Sequence, residues 1–217
     1  MLANKDMCAV ELSALRQSEL IPLVEQLQDL NLSSFEYVSF HAPSSMESSF
    51  EPVALKLLEQ VASLGWPIIV HPDAMFTPLE WNRLGNCLCI ENMDKRKPIG
   101  QTAKDLASIF ELLPNAWLCF DIGHARQVDP TMSEACAILH RFRGKIKQLH
   151  VSEVNSQSQH DCLSLESILA FQKVSHLVPV NVPVILESRV EESAIDEEVQ
   201  NVLDALSTET PFAVAGD

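Results

Sequence analysis

Basic residues are scarce in this sequence. Lys and Arg number 15 against 30 Asp and Glu, a formal net charge of −15. A chain that grips nucleic acid neutralises phosphates with a basic surface, so this balance counts against nucleic acid as a partner. Also missing is any apolar run near the ~20 residues that a membrane-spanning helix needs. Met1 is not followed by a basic region and an apolar signal core, so the expectation is a cytoplasmic protein with no membrane partner. The six cysteines, Cys8, Cys87, Cys89, Cys119, Cys136 and Cys162, lack the CxxC pairing of a zinc ribbon. A chain of 217 residues needs no disulfide staples, so reduced thiols are expected. No linker or low-complexity stretch divides it, and residues 1–217 are expected to form one domain.

What the chain does contain is one event repeated. Val-Ser-Phe-His41, Ile-Ile-Val-His71, Leu-Cys-Ile-Glu91, Leu-Cys-Phe-Asp121, Lys-Gln-Leu-His150 and Val-Ile-Leu-Glu187 are short, mostly apolar runs that end in a residue able to ligate a metal. The intervals between the ligand types are 30, 20, 30, 29 and 37 residues. That is the period of a strand, a helix and two loops. Parallel strands joined by helices and closed into an α/β barrel of TIM type present their C-terminal ends on one face, where such barrels place their chemistry. Side chains alternate along a strand, so the residues two before each ligand, Ser39, Ile69, Cys89, Cys119, Gln148 and Ile185, are expected to face the axis beneath the cavity.

Seven strands are legible: residues 7–13, in which Glu11 lies in phase 30 residues before His41 in an uncertain register, then 37–41, 68–71, 87–91, 117–121, 145–151 and 182–187. Apolar spacing predicts helices over 17–30, 53–64, 78–84, 103–113, 132–142, 163–177 and 193–206. Residues 152–162 read as a long polar loop. Seven strands are one short of a closed eight-stranded barrel. Either the seam is open, or Phe212–Gly216 supplies an eighth strand, or a second copy covers the gap in a homo-oligomer.

A cavity lined by imidazole and carboxylate suits Zn, Mn, Co or Mg, and a divalent metal offsets the cost of burying several carboxylates. Asp121 also has an ordinary use, capping the helix that follows it. His41 and His71 equally suit buried neutral imidazoles bonded to backbone, and His160 is either a ligand or an exposed loop residue. Arg126, Arg189 and the run Lys95-Arg96-Lys97 fall on the same side as the ligands, where they read as a local basic patch or as solvated loop charges.

Ser-Phe-His41-Ala-Pro, Val-His71-Pro, Ile-Glu91-Asn, Phe-Asp121-Ile-Gly-His124-Ala, Leu-His150-Val-Ser and Leu-Glu187-Ser together resemble the xylose isomerase-like TIM-barrel superfamily. That group includes sugar isomerases and epimerases and the second family of apurinic/apyrimidinic endonucleases. The resemblance runs over about residues 7–206, with Asp-x-Gly-His-Ala its most specific piece. In the isomerase branch it implies one divalent metal on Glu91, Asp121, His150 and Glu187, proton transfer by the two glutamates, and substrate contact by His124. In the endonuclease branch it implies a trinuclear zinc site that adds His41, His71, His124 and His160. That branch has an Asp two residues before the last histidine, where this chain has Ser158. The leading expectation is isomerisation or epimerisation of a small sugar or sugar phosphate, with Arg126 or Arg189 holding a phosphate. The alternatives are zinc-dependent phosphodiester hydrolysis and a non-catalytic ligand-binding barrel.

Overall fold

The computed structural model describes residues 7–207. Six parallel strands come first: β1 (Ala9–Ser13), β2 (Tyr37–His41), β3 (Ile68–Val70), β4 (Leu88–Glu91), β5 (Trp117–Asp121) and β6 (Ile146–Val151). A short antiparallel hairpin, β7 (Glu153–Val154) and β8 (His160–Asp161), interrupts the series before the last barrel strand, β9 (Val184–Leu186). The barrel strands are bonded in chain order, β1 to β6 and then β9, so the sheet curls into a nearly closed barrel. Its two ends, β1 and β9, approach each other without a ladder of hydrogen bonds, which leaves an open seam among the described residues. The expected eighth strand at Phe212–Gly216 lies outside the described residues.

The helices follow the alternation read from the sequence: α1 (Gln17–Gln26), α2 (Glu51–Ala62), α3 (Ala103–Leu112), α4 (Ile122–Val128), α5 (Ser133–Phe142), α6 (Leu165–Ser175) and α7 (Ile195–Leu206). The first is shorter than expected. It tightens into a 3-10 turn at Leu27–Asp29 and carries Pro22 in its second turn, where the proline withholds one backbone donor. Between β3 and β4 the 20-residue interval holds 3-10 turns instead of an α-helix, broken at Gly85, whose φ of 56° is one that glycine tolerates. Trp81 of this segment is fully buried and donates its Nε1–H to Glu51 at 2.8 Å. Glu51 also accepts from Thr77 Oγ1 and from the amides of Phe76 and Thr77, which compensates its burial. α3 starts with a reciprocal cap, Thr102 Oγ1 accepting from the Asp105 amide and the Asp105 carboxylate from the Thr102 amide, worth about 1 kcal/mol.

Two layers of side chains follow from strand alternation. Phe40, Ile68, Val70, Leu88, Ile90, Leu118, Phe120, Leu149 and Val151 face outward into one core with the helices. Each buried side chain of this size contributes ~1.5–3 kcal/mol. Ile69, Cys89 and Cys119 form a separate small cluster inside the barrel. Beside them lie the buried polar groups Ser39 and Gln148, the floor beneath the cavity. The polar stretch 152–162 is not a plain loop: it folds into the hairpin, which brings His160 to the cavity at the C-terminal mouth.

Candidate metal centre

The strand ends deliver the ligand types to one place. Glu91, the last residue of β4, is almost fully buried, and its Oε2 lies 3.2 Å from His41 Nε2 and 3.0 Å from His71 Nε2. Its Oε1 lies 3.3 Å from His150 Nδ1 and 3.5 Å from His124 Nδ1. His150 Nδ1 is also 3.1 Å from Glu187 Oε1, whose other oxygen is 3.2 Å from His160 Nδ1. His124 Nδ1 sits 3.3 Å from Asp121 Oδ2. Their potential ligand atoms fall into three groups: His41, His71 and Glu91; Glu91, Asp121, His150 and Glu187; and Asp121, His124 and His160. Glu91 and Asp121 each belong to two groups.

Local structure explains the Asp-x-Gly-His-Ala motif. Asp121 ends β5 and caps α4, its Oδ1 accepting the His124 amide hydrogen at 2.6 Å. The capping reading is met, and it leaves Oδ2 without a hydrogen-bond partner among the clustered side chains. Asn92, just past the end of the neighbouring strand β4, grips the Asp121 backbone twice, donating to its carbonyl and accepting from its amide, both at 2.8 Å. Gly123 lets the hairpin lie against α4: a Cβ there would run into the Ser152 carbonyl and come within 2.9 Å of Val154.

Charge in the cluster is held by shared protons. Burial opposes ionisation of Glu91, but the charge of His71 and hydrogen bonds from His150 and His41 drive its pKa well below the carboxylate range. Burial acts the same way on Glu187, and the charge and hydrogen bond of His150 overcome it. Asp121 goes the other way: burial, reinforced by the charges of Glu187 and Glu91, pushes it well above its usual value. Burial would depress His41, yet the hydrogen bond to Glu91 and the charges of Glu11 and Glu91 raise it to about 9. His71 and His160 are lowered, chiefly by burial.

This donor set fits a divalent cation. His71 Nδ1, Asp121 Oδ2 and Glu187 Oε2 are buried polar atoms without hydrogen-bond partners, a costly state that a cation among imidazoles and carboxylates resolves. His41 Nδ1 is 2.7 Å from its neighbour's carbonyl at Ala42, an arrangement that directs Nε2 at the cluster.

A cavity of about 440 Å³ opens onto the cluster, lined by His41, His71, Glu91, His124, His160 and Glu187. Asp121 and His150 stand behind these, fully buried. Arg96, Lys97 and Arg189 reach the rim. Arg96 is held by Asp94 at 3.2 Å and by the hairpin carbonyls of Gln157 and Ser158, and Lys97 by Asp73 at 2.9 Å. Arg126 is placed elsewhere, paired with Glu153 at 3.4 Å and Glu166 at 3.2 Å. Ser158 does not face the ligands; its hydroxyl donates to Asp94 at 2.9 Å. His140 lies on α5 and His176 at the end of α6, away from the cavity.

No family model and no curated protein matches the sequence. Among solved structures, endonuclease IV from Thermus thermophilus matches with a TM-score of 0.57 at 17% identity, covering 89% of this chain and 95% of its own. The 3-keto-D-glucoside 4-epimerase from E. coli matches with a TM-score of 0.51 at 11% identity, covering 92% of this chain and 99% of its own. The chain shares the TIM-type α/β-barrel fold of these structures. At these identities the likeness is one of fold.

Sequence reasoning left three participants of the centre unassigned. Glu11 lies on the barrel floor against His150, although its 30-residue phase with His41 was visible. Asn92 follows Glu91 directly, but its role depends on the β4–β5 register, which no local pattern encodes. Asp94, within a charged loop, ties the hairpin to the mouth through Ser158 and Arg96.

Proposed function

We propose that the chain is a divalent-metal-dependent isomerase or epimerase acting on a small sugar or sugar phosphate by proton transfer at carbon. The position of Glu187 carries this reading. Each oxygen of Glu91 lies against two imidazoles, and Asp121 is fully buried with one oxygen committed to a helix cap. Glu187 alone among the carboxylates of its ligand group has a side chain that reaches the surface of the cavity, 19% exposed where Glu91 and Asp121 are buried. A base that takes a proton from carbon must be able to reach the substrate. Glu187 is therefore assigned the moving proton, and His124, on the cavity wall, the contact with substrate oxygens. When bound by Glu91, Asp121, His150 and Glu187, a divalent cation supplies polarisation of the substrate's carbonyl and hydroxyl oxygens. Arg189 at the rim offers a fork for a phosphate.

The sharing of Glu91 and Asp121 between ligand groups favours a second reading, phosphodiester hydrolysis on clustered zinc ions. Against it stand the net charge of −15 and Ser158, turned to Asp94 where a carboxylate ligand would be needed. Metal analysis of the purified protein, with a panel of ketoses and ketose phosphates incubated in deuterated water, separates the readings. One metal per chain with deuterium incorporation that falls at least 100-fold in Glu187→Gln, about 2.7 kcal/mol of transition-state stabilisation, supports the isomerase. Two or three metals with phosphodiester cleavage and no exchange favours hydrolysis. Absence of metal and turnover leaves a binding barrel.

A further inference from the structure

We infer that Glu11 is a positioning residue for the metal centre, holding the ring of His150 from beneath so that its Nδ1 is presented to Glu91, Asp121 and Glu187. The inference rests on the metal-binding reading above and on neither choice of reaction. Glu11 sits on β1, where the parallel register sets it beside Ser39 of β2. Its side chain is 4% exposed, and its Oε2 lies 3.2 Å from His150 Nε2. The same oxygen accepts from Ser39 Oγ at 2.9 Å and from Gln148 Nε2 at 2.6 Å. Tyr37 donates its hydroxyl hydrogen to Gln148 Oε1 at 2.9 Å, which fixes the amide with its nitrogen toward Glu11.

A carboxylate buried beneath three others is unfavourable unless donors surround it. Two neutral donors and the imidazole do so here, and the imidazole is the one that the site above also needs. Gln148 Nε2 approaches the same ring nitrogen at 2.6 Å, so the two floor groups compete for it. Were Gln148 to donate to an unprotonated Nε2, the ring hydrogen would sit on Nδ1 and block the face turned to Glu91 and Glu187. The carboxylate is the stronger acceptor, since a charged acceptor makes a bond roughly twice as strong as a neutral one. It therefore keeps the hydrogen on Nε2, and Gln148 directs one of its two amide hydrogens to Glu11. This is a carboxylate–histidine–metal arrangement in which the carboxylate comes from the strand at the open seam.

Cobalt(II) titration of the parent, Glu11→Gln, Glu11→Ala and Ser39→Ala tests the assignment, with affinity read by chelator competition, coordination by the d–d bands, and folding by thermal unfolding of the metal-free proteins. Glu11→Ala is expected to bind cobalt about 10–100-fold more weakly with shifted bands. Glu11→Gln, which keeps an acceptor oxygen, should recover part of that loss. Ser39→Ala, which removes only a donor to Glu11, should stay near the parent. A merely structural role would lower the unfolding temperature without moving the bands. If the parent binds cobalt and both Glu11 variants match it in affinity and spectrum, the inference is wrong; if the parent binds none, the metal reading itself fails. Should Glu11→Ala not fold, Glu11→Gln decides on the same two readouts.

Discussion

Asp121 illustrates how one side chain serves the fold and the site at once. One oxygen satisfies a helix amide that would otherwise be an orphan donor, and this bond fixes where the other oxygen points. His41 makes the parallel point in protons. Its pKa is raised from 6.5 to about 9 despite burial, by the Glu91 hydrogen bond and the charges of Glu11 and Glu91. The protonated ring's contribution to stability is complete below the unfolded value of 6.5 and is lost as pH climbs through about 9. His124 and His150 are raised too and act in the same direction, whereas the lowered His71 and His160 lose their contribution only below 6.5. Chelator-treated protein should therefore unfold at progressively lower temperature between pH 6.5 and about 9. Metal-loaded protein should not, because metal ligands bind better as their protons leave. Equal pH slopes for the two forms would refute this account of the centre.

At the scale of elements, the hairpin of β7 and β8 is the device that brings His160 to the cluster. Ser158 at its turn has a φ of 53° and is buried, held by Asp94 and by Gln127, whose Nε2 donates to the Ser158 hydroxyl at 2.8 Å. The hairpin rests on the first turn of α4, where Gly123 leaves no room for a methyl group. Gly123→Ala should push the hairpin outward at a cost of about 1–3 kcal/mol, the usual penalty of overpacking. Because Asp121 and His124 flank Gly123 and His160 rides on the hairpin, that variant should lose metal from the Asp121–His124–His160 group first. Thermal unfolding together with metal stoichiometry checks it: a variant as stable as the parent and holding the same metal would show that the contact is slack.

For the whole molecule, an acid-rich chain brings four of its carboxylates together inside the barrel. Glu11, Glu91, Asp121 and Glu187 converge in one barrel of a chain at −15. A cation bound only by the folded state adds stability by mass action, about 2.7 kcal/mol at a hundred times its dissociation constant. Chelation should thus lower the unfolding temperature and re-addition of the bound metal restore it. The same charge gives a second expectation. With 15 basic residues, of which Arg96, Lys97 and Arg126 are paired with carboxylates, little surface is left to track phosphates. Abasic duplex DNA should show no salt-sensitive binding and no nicking; metal-dependent nicking abolished by Glu91→Gln would reverse the choice between the two readings.

The sequence by itself determined the alternation of strands and helices and the arrival of His41, His71, Glu91, Asp121, His150 and Glu187 at one mouth. Those are local facts, a period of two along each strand and an interval near 30 residues between strand ends, and a barrel converts equal phase into convergence. The floor beneath the ligands was legible for the same reason. Only the tertiary structure decided that Glu11 lies against His150, that Asn92 grips Asp121, that Arg126 is committed to Glu153 and Glu166, and that the polar stretch after β6 folds into a hairpin carrying His160 to the cavity. Each of these is a contact across segments many residues apart, fixed by strand register, by loop closure and by competition among several partners for one hydrogen bond. None of these quantities leaves a period in the chain.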